Sequence, residues 1–264
     1  MRAASPLAAA LRDLADGARQ WPQWFTLGNL EIKLRFRRTG LGPVWTSLSF
    51  AILVAALGAV YARVLGLAVR DYLPYLALGL FVWTFLSTVL LEACDVFGQA
   101  AHTLKQLNVP KSAFLYRLLW RNLVLLAFNA LVVAIVLLAC RTRPSATALL
   151  ALPGLALLIV NLFWIAFLLA LAGARFWAVG RGVQAALPIA MLVTPILWRP
   201  SLPGLRALAQ ANPIYHAVEL VRGPLLGRAP PIAIWVAAAF TALAGVTLAF
   251  AALARWRGRI AYWL

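Results

Sequence analysis

Acidic residues are scarce in this 264-residue sequence, with 7 Asp and Glu against 24 Lys and Arg and a formal net charge of +17. The two cysteines, Cys94 and Cys140, stand alone, and we interpret them as small buried apolar residues. The two histidines, His102 and His216, are also isolated. The sequence therefore lacks the paired acids or metal-ligand clusters of a membrane-bound glycosyltransferase or phosphatase, and the buried relays of a proton-coupled transporter.

A glycine-rich phosphate-binding loop is also missing. Lys111 and Ser112 follow Asn-Val-Pro, which cannot supply the backbone amides that cradle a phosphate. We therefore predict that the chain is not an enzyme and cannot hydrolyse ATP alone. Residues 1–21 lack the apolar core of a signal peptide, so we expect no cleavage.

Long apolar stretches dominate what remains. Hydrophobic residues make up 64% of the sequence and charged residues only 12%, with a mean hydropathy of +0.88. A helix needs about 20 apolar residues to cross about 30 Å of hydrocarbon. We predict an all-α membrane protein whose six spans lie in the charge-free stretches 39–62, 72–91, 122–140, 144–174, 182–198 and 229–254.

The distribution of basic residues predicts the orientation of these spans. If both termini are cytoplasmic, about twice as many Lys and Arg lie inside as outside, as the positive-inside rule requires. This bias explains the net charge without nucleic acid. We divide the chain into a cytoplasmic N-terminus with an interface helix (1–38), a transmembrane domain (39–254) and a cytoplasmic tail (255–264).

The connection between the fifth and sixth spans is long and broken by prolines. Asn212 as N-cap, Pro213 at the first helical position and Gly223 just past the end predict a helix of about ten residues. Glu219 and Arg222 are spaced i and i+3 on it. A second short piece is expected at 203–210. Such re-entrant or interfacial helices form either a gate on the outer face or a passive packing element.

Two inner segments remain open to interpretation. The loop 95–112 is polar, and Pro110 ends a short helix before Val109. It is either a docking element for a cytoplasmic partner or a solvated loop. Residues 24–38 combine aromatic and basic side chains suited to a helix at the headgroups. Their apolar residues alternate with a strand-like period, but an unpaired strand beside a bilayer leaves its backbone unsatisfied, so we predict a helix.

Four stretches resemble the ABC-2 type polysaccharide export permeases. They are EIKLRFRRTGLGPVW (31–45), DYLPYLALG (71–79), NPIYH followed by ELVRGPLL (212–216 and 219–226), and RIAYWL (259–264). Together the four stretches span nearly the whole chain. Within that family the chain is most similar to the transmembrane subunits of O-antigen exporters, which act in lipopolysaccharide biosynthesis.

The resemblance implies a homodimer in the bacterial inner membrane, joined to two copies of a separate ABC ATPase that binds ATP and Mg. The chain itself would hold no cofactor. The cargo would be a polysaccharide on undecaprenyl pyrophosphate. Alternatives on the same scaffold are a capsule, teichoic-acid or galactan exporter, or a drug or lipid exporter. A secondary lipid-sugar flippase would work without an ATPase.

The resemblance and the side-chain chemistry also suggest site residues. In the homodimer, the first and fifth spans of both copies would surround a central channel. Four aromatic residues are either interfacial anchors or part of the polymer path: Trp45, Tyr61, Trp83 and Trp198. The remaining expected roles are lipid-pyrophosphate binding by Arg35, Arg37 and Arg38; ATPase coupling by Asp95, Gln99, His102, Lys105, Asn108 and Lys111; and an outer gate of Asn212, Pro213, Tyr215, His216, Glu219 and Arg222.

Overall fold

The computed structural model describes residues 6–37, 40, 42–107, 109–142, 145–200 and 203–264. These residues form helices and connecting segments and include no strand, which confirms the all-α prediction. Five of the helices are long and apolar enough to cross a membrane. Their lengths and compositions are those of a multi-pass helical membrane protein.

The helices follow one another through short connections. In chain order they are α1 Pro6–Arg19, α2 Trp21–Arg35, α3 Val44–Val64, α4 Val69–Ala93, α5 Val96–Gln99, α6 Ala101–Gln106, α7 Lys111–Ala139, α8 Ala151–Arg175, α9 Ala178–Val193, α10 Pro203–Ala211, α11 Pro213–Leu225, α12 Ile232–Trp256 and α13 Ile260–Trp263. A 3-10 turn, Ala146–Leu150, leads into α8. The five long apolar helices are α3, α4, α7, α8 with this turn, and α12.

The two ends of the helix bundle differ in character. At one end, α1 packs against α7 and α12, and the Arg257 guanidinium donates a hydrogen bond to the carbonyl of Ala9. We call this the terminal end, because the first and last described helices, α1 and α13, lie there. The opposite end contains α11, the start of α4 and the start of α8, where Gly154 contacts Leu220. Helix α4 is buried along most of its length and forms the centre of the bundle.

The fifth predicted span is only partly helical. Helix α9 has 16 residues and is about 24 Å long. It ends at Val193 because Thr194 precedes Pro195, and a residue before proline favours extended geometry; Thr194 has φ −83° and ψ 134°. The remaining residues, 194–198, are non-helical and mostly buried.

The third predicted span also begins earlier than its charge-free stretch. Helix α7 starts at Lys111, not at Asn122. Arg117 and Arg121 are accommodated in its first turns because both pair with acidic side chains of neighbouring helices. The last charged residue, Arg121, therefore shows where the apolar stretch begins, whereas the helix itself begins at Lys111.

A close approach of α8 and α11 gives a test of this packing. A Cβ added at Gly154 would overlap the backbone carbonyl of Leu220. We expect Gly154→Ala to lower the free energy of unfolding by about 1–3 kcal/mol, since overpacking shifts backbone. SDS-titration unfolding in mixed micelles measures the change. As a control, Gly204→Ala in α10 has open space and is expected to be neutral or stabilising by up to about 1 kcal/mol; equal losses would contradict the packing.

Candidate functional site

The non-helical segment 194–198 is held at the opposite end by side chains of α4 and α11. The Tyr72 hydroxyl donates to the Leu197 carbonyl (2.5 Å). The Tyr75 hydroxyl lies within hydrogen-bond distance of the carbonyls of Pro195 (2.8 Å) and Trp198 (3.0 Å). Buried backbone groups outside a helix need such partners in a membrane protein. The segment therefore has a fixed position despite lacking regular structure.

Arg222 is the central side chain of this anchor. It is 1% exposed and donates from Nη1 to the Pro195 carbonyl (2.7 Å). Its Nε and Nη2 both donate to Glu219 Oε2, at 3.0 and 2.8 Å, which confirms the predicted i,i+3 pair. Its guanidinium lies 4.0 Å from the Tyr75 ring centroid. Arg222 thus joins α11, α4 and segment 194–198.

The predicted N-cap of α11 is present and has a second role. Asn212 Oδ1 accepts a hydrogen bond from the Ile214 amide (2.9 Å), and its Nδ2 donates to Thr194 Oγ1 (2.9 Å). One side chain therefore caps α11 and ties it to the end of α9. Helix α11 continues past Gly223 to Leu225, with Pro224 in its last turn.

A polar cavity opens beside this anchor. Its volume is about 460 Å³, and it is lined by Asp71, Tyr75, Arg199, Pro200, Tyr215, Glu219, Arg222, Leu226 and Arg228. Burial and the nearby Glu219 carboxylate raise the pKa of Tyr215 above its usual value. The Tyr215 phenol is therefore protonated at neutral pH and able to donate a hydrogen bond.

An ion-pair network occupies the terminal end. Glu92 accepts hydrogen bonds from Arg35 (3.1 Å), Arg121 (2.7 Å) and Asn122 (2.9 Å). Glu31 pairs with Arg121 (2.5 Å) and with Arg117 (3.3 Å). These contacts connect α2 to α4 and α7. We call Glu31, Arg35, Glu92, Arg117 and Arg121 the terminal-end network.

Sequence reasoning did not predict most of this network. Arg35 is predicted to bind a lipid pyrophosphate, but it pairs with Glu92, which directly follows the charge-free stretch 72–91. The signal was available, because an acid at the end of an apolar stretch needs a cationic partner. The partners come from residues far apart in sequence, so their identity required the fold.

The two inner segments that the sequence singled out lie side by side. A cavity of about 650 Å³ lies between them and the start of α7; its lining includes Gln20, Gln23, Trp24, Leu27 and Glu31 from the α2 side and Gln99, Ala100, Thr103, Leu107 and Val109 from the α5–α6 side. The segment 95–107 forms two short helices whose apolar residues Phe97 and Leu104 are buried. Its polar residues His102 and Lys105 are exposed.

The other predicted coupling and lipid-binding residues have varied positions. Gln99 donates to Asp95 within the segment (3.0 Å). The side chain of Lys111 is mostly buried and donates to the Val109 carbonyl (3.1 Å), so it is not a free surface cation. Arg37 is exposed. Arg38 and Asn108 lie outside the described residues.

The four aromatic residues proposed for a polymer path are not gathered in one place. Trp45 is exposed at the start of α3, and Tyr61 is half-buried near its end. Trp83 is buried in the middle of α4. The Trp198 indole donates to the Leu192 carbonyl at the opposite end (2.9 Å). Within one chain they form no continuous aromatic surface.

Helix α1, which the sequence analysis did not predict, is anchored by a carboxylate. The buried Asp13 accepts hydrogen bonds from the Lys111 and Ser112 amides at 3.1 and 3.0 Å. Its backbone carbonyl accepts one from the Ser112 hydroxyl (2.7 Å). Asp13 thus caps α7 from a different helix and satisfies amides that the helix start leaves free.

This cap gives a second prediction. We expect Asp13→Ala to lower the free energy of unfolding by about 1–2 kcal/mol, the loss typical of an N-cap, and to speed hydrogen exchange in α1. Hydrogen-exchange mass spectrometry with SDS titration measures both. The control is Asp16→Ala, because Asp16 is exposed on the same helix; an equal effect of the two substitutions would contradict the cap.

The part of the chain that the structure describes contains no group of three His, Cys, Asp or Glu residues arranged for a metal ion. Cys94 and Cys140 are free thiols.

Comparison of the sequence with known proteins found no matching family model and no matching curated protein.

Proposed function

We propose that the chain is the transmembrane subunit of an ATP-driven exporter that moves polysaccharide linked to undecaprenyl pyrophosphate, of the O-antigen type, across the bacterial inner membrane. The observation that carries this proposal is the shared cavity of α2 and the α5–α6 segment. The family resemblance implies that an N-terminal interface helix and the loop after the second span contact the ATPase, and these correspond here to residues 24–38 and 95–112.

The terminal-end network supports a coupling role for this surface. Ion pairs from Glu31 and Arg35 connect α2 to α4 and α7. The pairs of Arg117 and Arg121 are partly buried, so they are screened less than surface pairs and hold α2 and α4 against α7, whereas Arg35 is more exposed. Closure of two partner ATPases against α2 and α5–α6 would therefore move α4 and α7. ATP and Mg would bind on those partners.

The contacts of the fifth predicted span support six crossings of the membrane. Near the start of α9, Gly180 lies beside Cys94 at the terminal end. The chain then reaches Leu197, which Tyr72 holds at the opposite end. Helix α9 and segment 194–198 together would therefore complete a crossing that the helix is too short to make alone. Six crossings would put both termini on the same side of the membrane, and the bias of basic residues favours the cytoplasm as that side.

A homodimer would cover the surface of α9. No residue of α9 is buried, and Gln184 is exposed on it. Polar side chains within a span favour a water-filled path over lipid. We therefore infer that two copies of α9, with the exposed α3 helices, surround the channel. Helices α10 and α11 would close its outer end, anchored by Asn212 and Arg222.

A transport assay tests this function. The chain, co-expressed with the ATPase of its neighbouring genes, is reconstituted in inside-out proteoliposomes with undecaprenyl-pyrophosphate-linked O-antigen. We expect the glycan to become protected from an external glycosidase only when ATP is hydrolysed. Equal protection with a non-hydrolysable ATP analogue, or without the ATPase, would contradict the proposal and favour a secondary flippase.

A further inference from the structure

The cavity at the opposite end contains two cations that are free of acidic partners among the described residues. Arg199 Nη2 donates to the backbone carbonyl of Asp71 (2.5 Å), and its Nε is buried without a hydrogen-bond partner. No ion pair of the described chain includes Arg199 or Arg228. Glu219 is already committed to Arg222. The cavity therefore has spare positive charge.

The rest of the lining can both donate and accept hydrogen bonds. The Asp71 carboxylate is exposed at the cavity and accepts. The half-buried Tyr215, which also lines the cavity, has a hydroxyl that does both. A ligand that satisfies such a lining carries an anionic group for the guanidiniums and hydroxyl groups for Asp71 and Tyr215. A bare anion uses only the first of these features.

The size of the cavity favours the same ligand class. A volume of about 460 Å³ lies within the range of small-molecule sites and exceeds the space that one inorganic phosphate fills. Tyr75 is not available for sugar stacking, since the guanidiniums of Arg199 and Arg222 lie 5.1 and 4.0 Å from its ring centroid. Recognition therefore depends on charge and hydrogen bonds.

We propose that this cavity binds one acidic sugar unit of the exported glycan, a pyranose that carries a carboxylate. Arg199 and Arg228 bind the carboxylate, while Asp71 and Tyr215 bind ring hydroxyls. The inference rests on the proposed function, because it assigns the glycan of the exporter to the class with acidic sugars. Arg222 positions the wall and does not serve as the anion ligand, since Glu219 and Pro195 occupy it.

Saturation-transfer-difference NMR on the full chain in phosphatidylcholine nanodiscs tests the site, with glucuronate and glucose as probes. The two sugars share a ring and differ in the carboxylate. We expect glucuronate to bind at least about tenfold more tightly than glucose, the gain of a charge-assisted hydrogen bond. We expect Arg199→Gln to weaken glucuronate binding by about the same factor.

One control variant and one second test variant keep this test interpretable. Arg63→Gln changes an exposed cation at the same end that does not line the cavity, and it should leave binding unchanged. Arg228→Gln removes the second cation at an exposed position and should also weaken glucuronate binding, which covers the case in which Arg199→Gln fails to fold.

Three outcomes would overturn the site. Equal binding of glucose and glucuronate would exclude charge recognition. Displacement of glucuronate by equimolar inorganic phosphate would indicate a simple anion site. Loss of the glucuronate signal in phosphatidylglycerol nanodiscs would assign the cavity to a lipid headgroup. The binding assay uses the chain alone. A negative result therefore says nothing about whether transport depends on ATP. Conversely, the chain can bind glucuronate even if it has no ATPase partner.

Discussion

Replacing Arg222 with methionine is expected to lower the free energy of unfolding by about 3–5 kcal/mol, more than any of the other single substitutions. The substitution leaves the Glu219 carboxylate, whose side chain is 13% exposed, without its partner. It also removes a donor to the Pro195 carbonyl. SDS titration in mixed micelles, followed by circular dichroism, measures the loss.

A double substitution separates loss of charge balance from loss of packing. Glu219→Gln combined with Arg222→Met should recover a substantial part of the loss, because no buried charge then remains unpaired. Arg228→Met at the exposed edge of the same cavity should change stability by less than about 0.5 kcal/mol. If the double variant loses as much free energy of unfolding as Arg222→Met alone, the ion pair does not anchor α11.

Replacing Glu92 with glutamine is expected to separate ATP turnover from transport. Glu92 accepts hydrogen bonds from Arg35 on α2 and from Arg121 on α7, so the neutral amide loses the electrostatic link between these helices. We expect a loss of about 2–4 kcal/mol in the free energy of unfolding. In the proposed complex, ATP hydrolysis should continue while glycan transport falls at least about tenfold.

Glu31→Gln is the matched comparison for this substitution. Glu31 is more exposed than Glu92, 32% against 21% for the side chains, and after its substitution Arg121 keeps Glu92. The expected loss is therefore smaller, about 1 kcal/mol. Equal losses for the two substitutions, or parallel loss of ATP hydrolysis and transport for Glu92→Gln, would show that the network does not couple the helices.

Local sequence signals predicted the features that depend on neighbouring residues. Apolar length predicted the long helices, and Asn212 followed by Pro213 predicted the start of α11. The Glu219–Arg222 pair followed from helical spacing alone. Backbone satisfaction predicts a helix over 24–38 although the alternating pattern favours a strand, and the structure has helix α2 at Trp21–Arg35.

Features that depend on distant residues were not predictable. Helix α1 is anchored by contacts of Asp13 with Lys111 and Ser112, about one hundred positions away. The early start of α7 depends on acids supplied by α2 and α4. Segment 194–198 leaves the helix after Thr194, whose amide still donates to the Ala190 carbonyl. The hydroxyls of Tyr72 and Tyr75, which hold the carbonyls of Pro195, Leu197 and Trp198, come from α4. No local pattern contains these partners.

We propose that an ATPase docks on the terminal end of this chain. The most direct measurement is co-purification of the tagged chain with the products of its neighbouring genes, followed by an ATP-turnover assay. The test variant is His102→Glu with Lys105→Glu, which changes exposed side chains of α6 without removing buried contacts. Arg63→Glu at the opposite end is its control.

We expect a stoichiometric ATPase with the unmodified chain and with Arg63→Glu, and at least about a tenfold loss of the ATPase with the α6 double variant. A chain that purifies alone and still transports lipid-linked glycan without ATP would show that no ATPase drives this protein.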